Sequence, residues 1–187
     1  ELGLQPHLTG KLPEFSSQYP FDFVIGSIHV VDGCDPYERV FFENRSEEAS
    51  YRRYFTCVLE NLRKYSCFDV CGHLDYVVRY GPNRNTYYTY EKYRDIIDEI
   101  LRVLIQKNIG LECNTGGFKY GLGHPNPTEQ ILTRYHEMGG EIVTLGFDAH
   151  APQHLAYDFN RAAMLSKECG FQYYTIFKNR KPKFLPL

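Results

Sequence analysis

Apolar and polar positions follow two rhythms along the chain. Short apolar runs, rich in β-branched and aromatic residues and bounded by glycines or polar residues, occupy 21–31, 68–75, 110–115, 141–150 and 171–177 and predict strands. Between them runs the 3.6-residue period of helices. Tyr51, Tyr54, Phe55, Val58, Leu59 and Leu62 fall on one stripe behind Ser46, which reads as an N-cap with Glu47 and Glu48 in the first turn. Ile96, Ile97, Ile100, Leu101, Leu104 and Ile105 form the stripe of a helix starting near Thr89. Asn126, Pro127 and Glu129 read as N-cap, first helical residue and capping-box acid of a helix carrying Ile131, Leu132 and Tyr135 and stopping at Gly139. A last helix covers 158–169. Residues 1–4 read as the tail of a strand, 6–20 as a polar connection with one helical turn near 12–15, 76–93 as a loop crowded with Tyr and Arg, 116–123 as a glycine-rich loop, and 178–187 as a tail.

Alternating strands and helices predict an α/β fold built on a parallel sheet, with chemistry collecting where strands end. Those ends carry His29, His73 with Asp75, Glu112 with Asn114, and Asp148 with His150. An Asp and a His two apart on extended backbone point the same way. By itself, Asp-x-His fits an Asp bonded to a neighbouring His in a turn better than a metal site. Polar residues at four successive strand ends are costly to bury unpaired, and that coincidence argues for one shared site. Carboxylate oxygen and imidazole nitrogen together form the ligand set of Zn, Mn or Fe.

Composition narrows the reading. The chain has 187 residues, 43% of them hydrophobic, enough for the core of one domain spanning 1–187. A net charge of −2 gives no electrostatic reason to expect nucleic acid or an anionic membrane, and no apolar run reaches the length of a bilayer span. Six cysteines without a CxxC pair fit reduced thiols in the cytoplasm.

The stretches 21–29, 72–80, 111–115 and 146–150 together resemble the polymerase-and-histidinol-phosphatase (PHP) family, and its histidinol-phosphatase branch in particular. The resemblance implies a distorted (β/α)7 barrel with two or three divalent metal ions (Zn, Mn or Fe) at its C-terminal face. It implies Glu1, His29, His73, Asp148 and His150 as metal ligands, and Asp148, His150 and Asp75 as catalytic groups. Asp75 would receive a substrate ammonium or handle a proton, and reads equally well as a loop cap. Arg79 and Lys119 would hold phosphate, the alternative being solvated surface charges. Glu112 would touch the substrate or support a ligand. Phe147 stands where the family has a small serine, and the family's N-terminal His-x-His is not in this sequence. The chain is therefore expected to be the C-terminal two-thirds of the barrel, nearly inactive and aggregation-prone alone. For the intact protein the implied activity is metal-dependent hydrolysis of L-histidinol phosphate, a small-molecule phosphate monoester. The alternatives are a PHP phosphoesterase acting on nucleotides or oligonucleotide ends, with loop 76–93 stacking bases instead of forming a lid, and a non-catalytic metal-binding module.

Overall fold

Each predicted strand forms, but most are shorter than the apolar run that encodes them. The computed structural model describes residues 1–187. Its sheet consists of β1 (Leu2–Gly3), β2 (Ile25–Ser27), β3 (Val70–Cys71), β4 (Gly110–Asn114) and β5 (Val143–Gly146), all parallel and in sequential order. Sequential order is singly wound connectivity, in which each strand adds on the same side of its predecessor, as in a barrel. Here β1 and β5 are opposite edges. The sheet is thus an open arc of five strands.

Helices lie between successive strands and after β5. They are α1 (Lys11–Gln18), α2 (Glu47–Lys64), α3 (Arg94–Gln106), the short α4 (Gly116–Lys119), α5 (Glu129–Glu137) and α6 (Phe159–Glu168). The predicted stripe of α2 is buried throughout, and Ser46 caps it by accepting from the Ala49 amide at 3.2 Å. Ile97, Ile100, Leu101 and Leu104 of α3 are fully buried, and α2 packs directly on α3. No helix is long and apolar enough to cross a membrane.

Five expectations need correction. The 21–31 run pairs only over Ile25–Ser27, because residues 28–31 leave the sheet to carry His29 inward; Val31 then bridges Cys34. Residues 178–187 are no tail. Lys181–Pro186 is β7, paired antiparallel with β6 (Tyr173–Lys178) through Asn179 and Arg180, both at positive φ (50° and 62°), the geometry of a two-residue type I′ turn. The Arg180 guanidinium grips buried Asp69 at 2.7 Å while the Asn179 amide donates to Asp22 at 2.8 Å, so side chains hold a turn that has no glycine. Asn126 caps nothing; Thr128 holds the N-cap position of α5 and Asn126 is fully buried. Loop 76–93 turns most of its tyrosines inward, since Tyr76, Tyr88, Tyr90 and Tyr93 are buried and only Tyr87 among its tyrosines is well exposed. The glycine-rich loop opens with the single turn of α4.

Candidate metal centre

Three strands deliver a functional side chain two residues past their last paired position: His29 after β2, His73 after β3 and Asp148 after β5. Glu1 sits just before β1, and its long side chain reaches the same place. His73 Nε2 lies 2.9 Å from Glu1 Oε1, His29 Nε2 lies 3.3 Å from that oxygen, and the two Nε2 atoms are 3.2 Å apart. Ligands about 2.0–2.1 Å from a divalent ion stand about 3.3–3.4 Å apart at tetrahedral angles and about 2.9 Å apart at right angles. The observed triangle falls in that range, so these three side chains fit a metal ion.

Neighbouring groups position the triangle. His73 has an unusual backbone (φ 23°), and its N–H donates to Glu112 Oε2 at 2.8 Å. The Tyr76 ring packs against both imidazoles, with centroids 5.2 and 5.1 Å away. Burial opposes ionisation of Glu1, but hydrogen bonds from His29 and His73 and the His73 charge outweigh it and hold the carboxyl well below the usual carboxylate range. Burial pushes Glu112 upward, only partly countered by His73 and Asn114. A cavity of about 170 Å³ opens beside the triangle, lined by Glu1, His73, Glu112, Asn114, Phe147 and Asp148.

Asp148 and His150 stand apart from the triangle. β5 stops at Gly146 and the backbone turns left-handed at Asp148 (φ 47°), so the two side chains are not on extended backbone as the spacing argument required. The Asp148 carboxylate faces the cavity and accepts from Arg79 at 2.8 Å. Burial raises its pKa, but the Arg79 hydrogen bond and charge win and keep it below the ordinary value. The His150 side chain is 78% exposed, with Nδ1 3.5 Å from Asp148 Oδ1.

The remaining predicted residues fall into place around Asp148. Arg79 is no surface charge; its side chain is 1% exposed and lies between the rings of Tyr76 and Tyr120. The Lys119 ammonium donates to the Asp148 carbonyl at 2.8 Å, tying down the loop after β5. Asp75 does not share a strand face with His73, because β3 ends at Cys71. It is fully buried beneath Arg79, where it accepts from Asn126 Nδ2 at 2.6 Å and the Thr128 amide at 3.2 Å. Burial raises its pKa despite those bonds. Sequence reasoning missed Tyr76 and Asn126 as parts of the site. An asparagine before a proline carries the same local signal whether it caps a helix or faces a buried charge.

A singly wound parallel sheet with a carboxylate and two imidazoles converging beside a polar cavity defines an α/β protein with a candidate metal site at its strand ends. The chain belongs to the PHP domain family, whose model matches residues 1–116. It is 31% identical over 186 residues to a histidinol-phosphatase of Lactococcus lactis, covering 97% of this chain and 67% of that protein. It is 29% identical over 175 residues to a Clostridium acetobutylicum protein called "probable histidinol-phosphatase", covering 92% of this chain and 67% of that one. The crystal structure of the L. lactis histidinol phosphate phosphatase complexed with Zn, L-histidinol and phosphate superposes with a TM-score of 0.84 at 28% identity, over 97% of this chain and 69% of that one.

Proposed function

We propose that the intact protein hydrolyses L-histidinol phosphate to L-histidinol and phosphate in a cytoplasmic, histidine-forming pathway, with PHP-type structure extending through residue 187. The observation that carries this reading is the Glu1–His29–His73 triangle, whose spacing suits a divalent ion, in a chain whose relatives are histidinol-phosphatases. The single core of 41 buried residues, reaching from Leu2 to Phe171, supports one domain, and six free thiols suit a reducing compartment.

Two or three divalent ions, of which Zn is one candidate, would be held by Glu1, His29, His73, Asp148 and His150. When bound, they supply positive charge to the phosphate dianion and acidify a water molecule. The chain's own groups do the rest. Arg79 and Lys119 fix the carboxylate and the backbone of Asp148 at the cavity wall, and they add positive charge where a phosphoryl group would sit. Glu112 holds the His73 backbone, which aims the imidazole. His150, 78% exposed with Nδ1 3.5 Å from Asp148 Oδ1, would act through the ion it helps Asp148 to hold. Asp75 lies too deep to meet substrate and acts through Asn126.

Phosphate release by the intact, metal-loaded protein tests the reading, with L-histidinol phosphate compared against nucleoside monophosphates and 3′- or 5′-phosphorylated oligonucleotides. A preference for histidinol phosphate of at least about ten-fold in kcat/KM is expected. Preference for a nucleotide substrate transfers the function to the nucleic-acid branch, and metal binding without turnover of any monoester makes the chain a binding module.

A further inference from the structure

Arg79 lies between two carboxylates, and only one of them faces the cavity. Asp75, fully buried, lies on one side; Asp148, at the cavity wall, lies on the other. A buried carboxylate competes strongly for the nearest guanidinium, because unpaired charge in the interior is costly. Yet the guanidinium donates to Asp148 and makes no hydrogen bond to Asp75. What separates them is the side-chain amide of Asn126.

That amide is used at both ends. Nδ2 donates to Asp75 Oδ1 at 2.6 Å, and Oδ1 accepts from Arg79 Nε at 2.7 Å. A carboxylate only accepts and a guanidinium only donates, so the amide has one possible orientation. Its backbone is equally constrained, since Asn126 and Asn114 exchange two backbone hydrogen bonds of 2.9 Å. The Asn114 Oδ1 accepts from the far side of the guanidinium at 3.3 Å, and Tyr76 and Tyr120 flank it. A Cβ on Gly116 would stand 2.7 Å from Asn114 Oδ1 and 2.8 Å from an Arg79 nitrogen, so the arrangement uses the space that glycine leaves. With Nε and the far nitrogen fixed, the remaining nitrogen can meet only Asp148.

We propose that Asn126 is a positioning residue: its amide satisfies Asp75, keeps Arg79 from pairing with it, and so commits the guanidinium to Asp148. The inference rests on the reading that Asp148 serves the phosphatase site. Asn126→Ser removes the double-ended amide in little space, letting Arg79 turn to Asp75 and release Asp148. In the intact protein, kcat on histidinol phosphate per metal-loaded site should fall about 10- to 100-fold, the scale for outer groups that orient ligands, with KM within about three-fold. The same substitution in an Asp148→Asn background should cause no further loss of kcat. Urea midpoints provide a readout independent of turnover. Asn126→Ser and Asp148→Asn should be non-additive, and that coupling should vanish when Arg79 is replaced by Met. If Asn126→Ser does not fold, Asp75→Asn is the second variant, and its midpoint should couple to Asp148→Asn through the same Arg79 dependence. An unchanged kcat, or equal losses in both backgrounds together with additive midpoints, overturns the proposal. Wild-type protein inactive on histidinol phosphate instead overturns the functional reading, and the midpoint couplings still decide the role of Asn126.

Discussion

Gly146→Ala should damage the metal centre from a position that touches no proposed ligand. Gly146 ends β5, and nothing in its backbone demands glycine; the constraint is space. A Cβ there would lie 1.9 Å from Glu112 Oε1 and 2.5 Å from its carboxyl carbon. Restoring ordinary contact moves the carboxylate by more than about 1 Å, far enough to break its bonds from the His73 amide (2.8 Å) and Asn114 Nδ2 (3.0 Å). Hydrogen bonds to a charged group are each worth about 1.5–3 kcal/mol, and relaxation of β5 recovers part of that, so a net loss of about 3 kcal/mol follows. For a chain of this size that lowers Tm by roughly 6–12 °C. Losing the Glu112 anchor also frees the His73 backbone, and divalent-metal affinity should fall about ten-fold or more. Urea unfolding and calorimetric titration with Zn read the two effects. Adding Glu112→Ala removes the obstacle, so the double variant should be little less stable than Glu112→Ala alone. Full additivity of the two substitutions, or a Gly146→Ala protein within about 0.5 kcal/mol of wild type, would refute the steric argument.

Other predictions address different contacts. His73→Ala should abolish binding of the tightest divalent ion and His29→Ala should weaken it, measured as metal retained after gel filtration; retention unchanged in both removes the triangle as a metal site. Arg79→Met leaves Asp148 without its cation and should cost about 2–4 kcal/mol, less than a fully buried pair because Asp148 is 14% exposed; a loss under about 0.5 kcal/mol in urea contradicts the pairing. Asp98, whose burial penalty is outweighed by hydrogen bonds from Arg134 and Tyr90, has its pKa lowered from 3.8. A depressed carboxylate stabilises the fold above its unfolded pKa and loses that contribution as pH falls through the folded one. The Asp98→Asn deficit should therefore be constant from about pH 7 to pH 5 and shrink below about pH 3.8. A deficit independent of pH would leave only packing as its cause.

The sheet and its helices were legible because the two periodicities differ and few residues break them. The stripe of α2, the α3 face and the strands carrying His29, His73 and Asp148 all appear where the apolar pattern puts them. Strand ends were less legible. The apolar run 21–31 does not reveal that pairing stops at Ser27, nor does 141–150 reveal the left-handed turn at Asp148. Asn126 was misplaced because local sequence cannot distinguish a polar residue that caps a helix from one that meets buried partners about 50 positions away. The terminal hairpin was missed because its turn lacks Asn-Gly and is held by side-chain bonds to Asp22 and Asp69.

That hairpin also bears on the order in which the molecule is assembled. Asp69 is made early and ends up nearly enclosed, accepting from the Val24 amide at 2.7 Å and from Arg180, 111 positions downstream. Asn179 closes a still longer loop onto Asp22, 157 positions away. Contacts of such sequence separation form late, because the closure entropy of the intervening chain must be met first. During synthesis β2 and β3 emerge with Asp69 still facing water, and its burial awaits residues 179 and 180. A nascent chain held short of them should remain sensitive to protease around 22–24 and 67–69, and release of about ten further residues should protect both segments together.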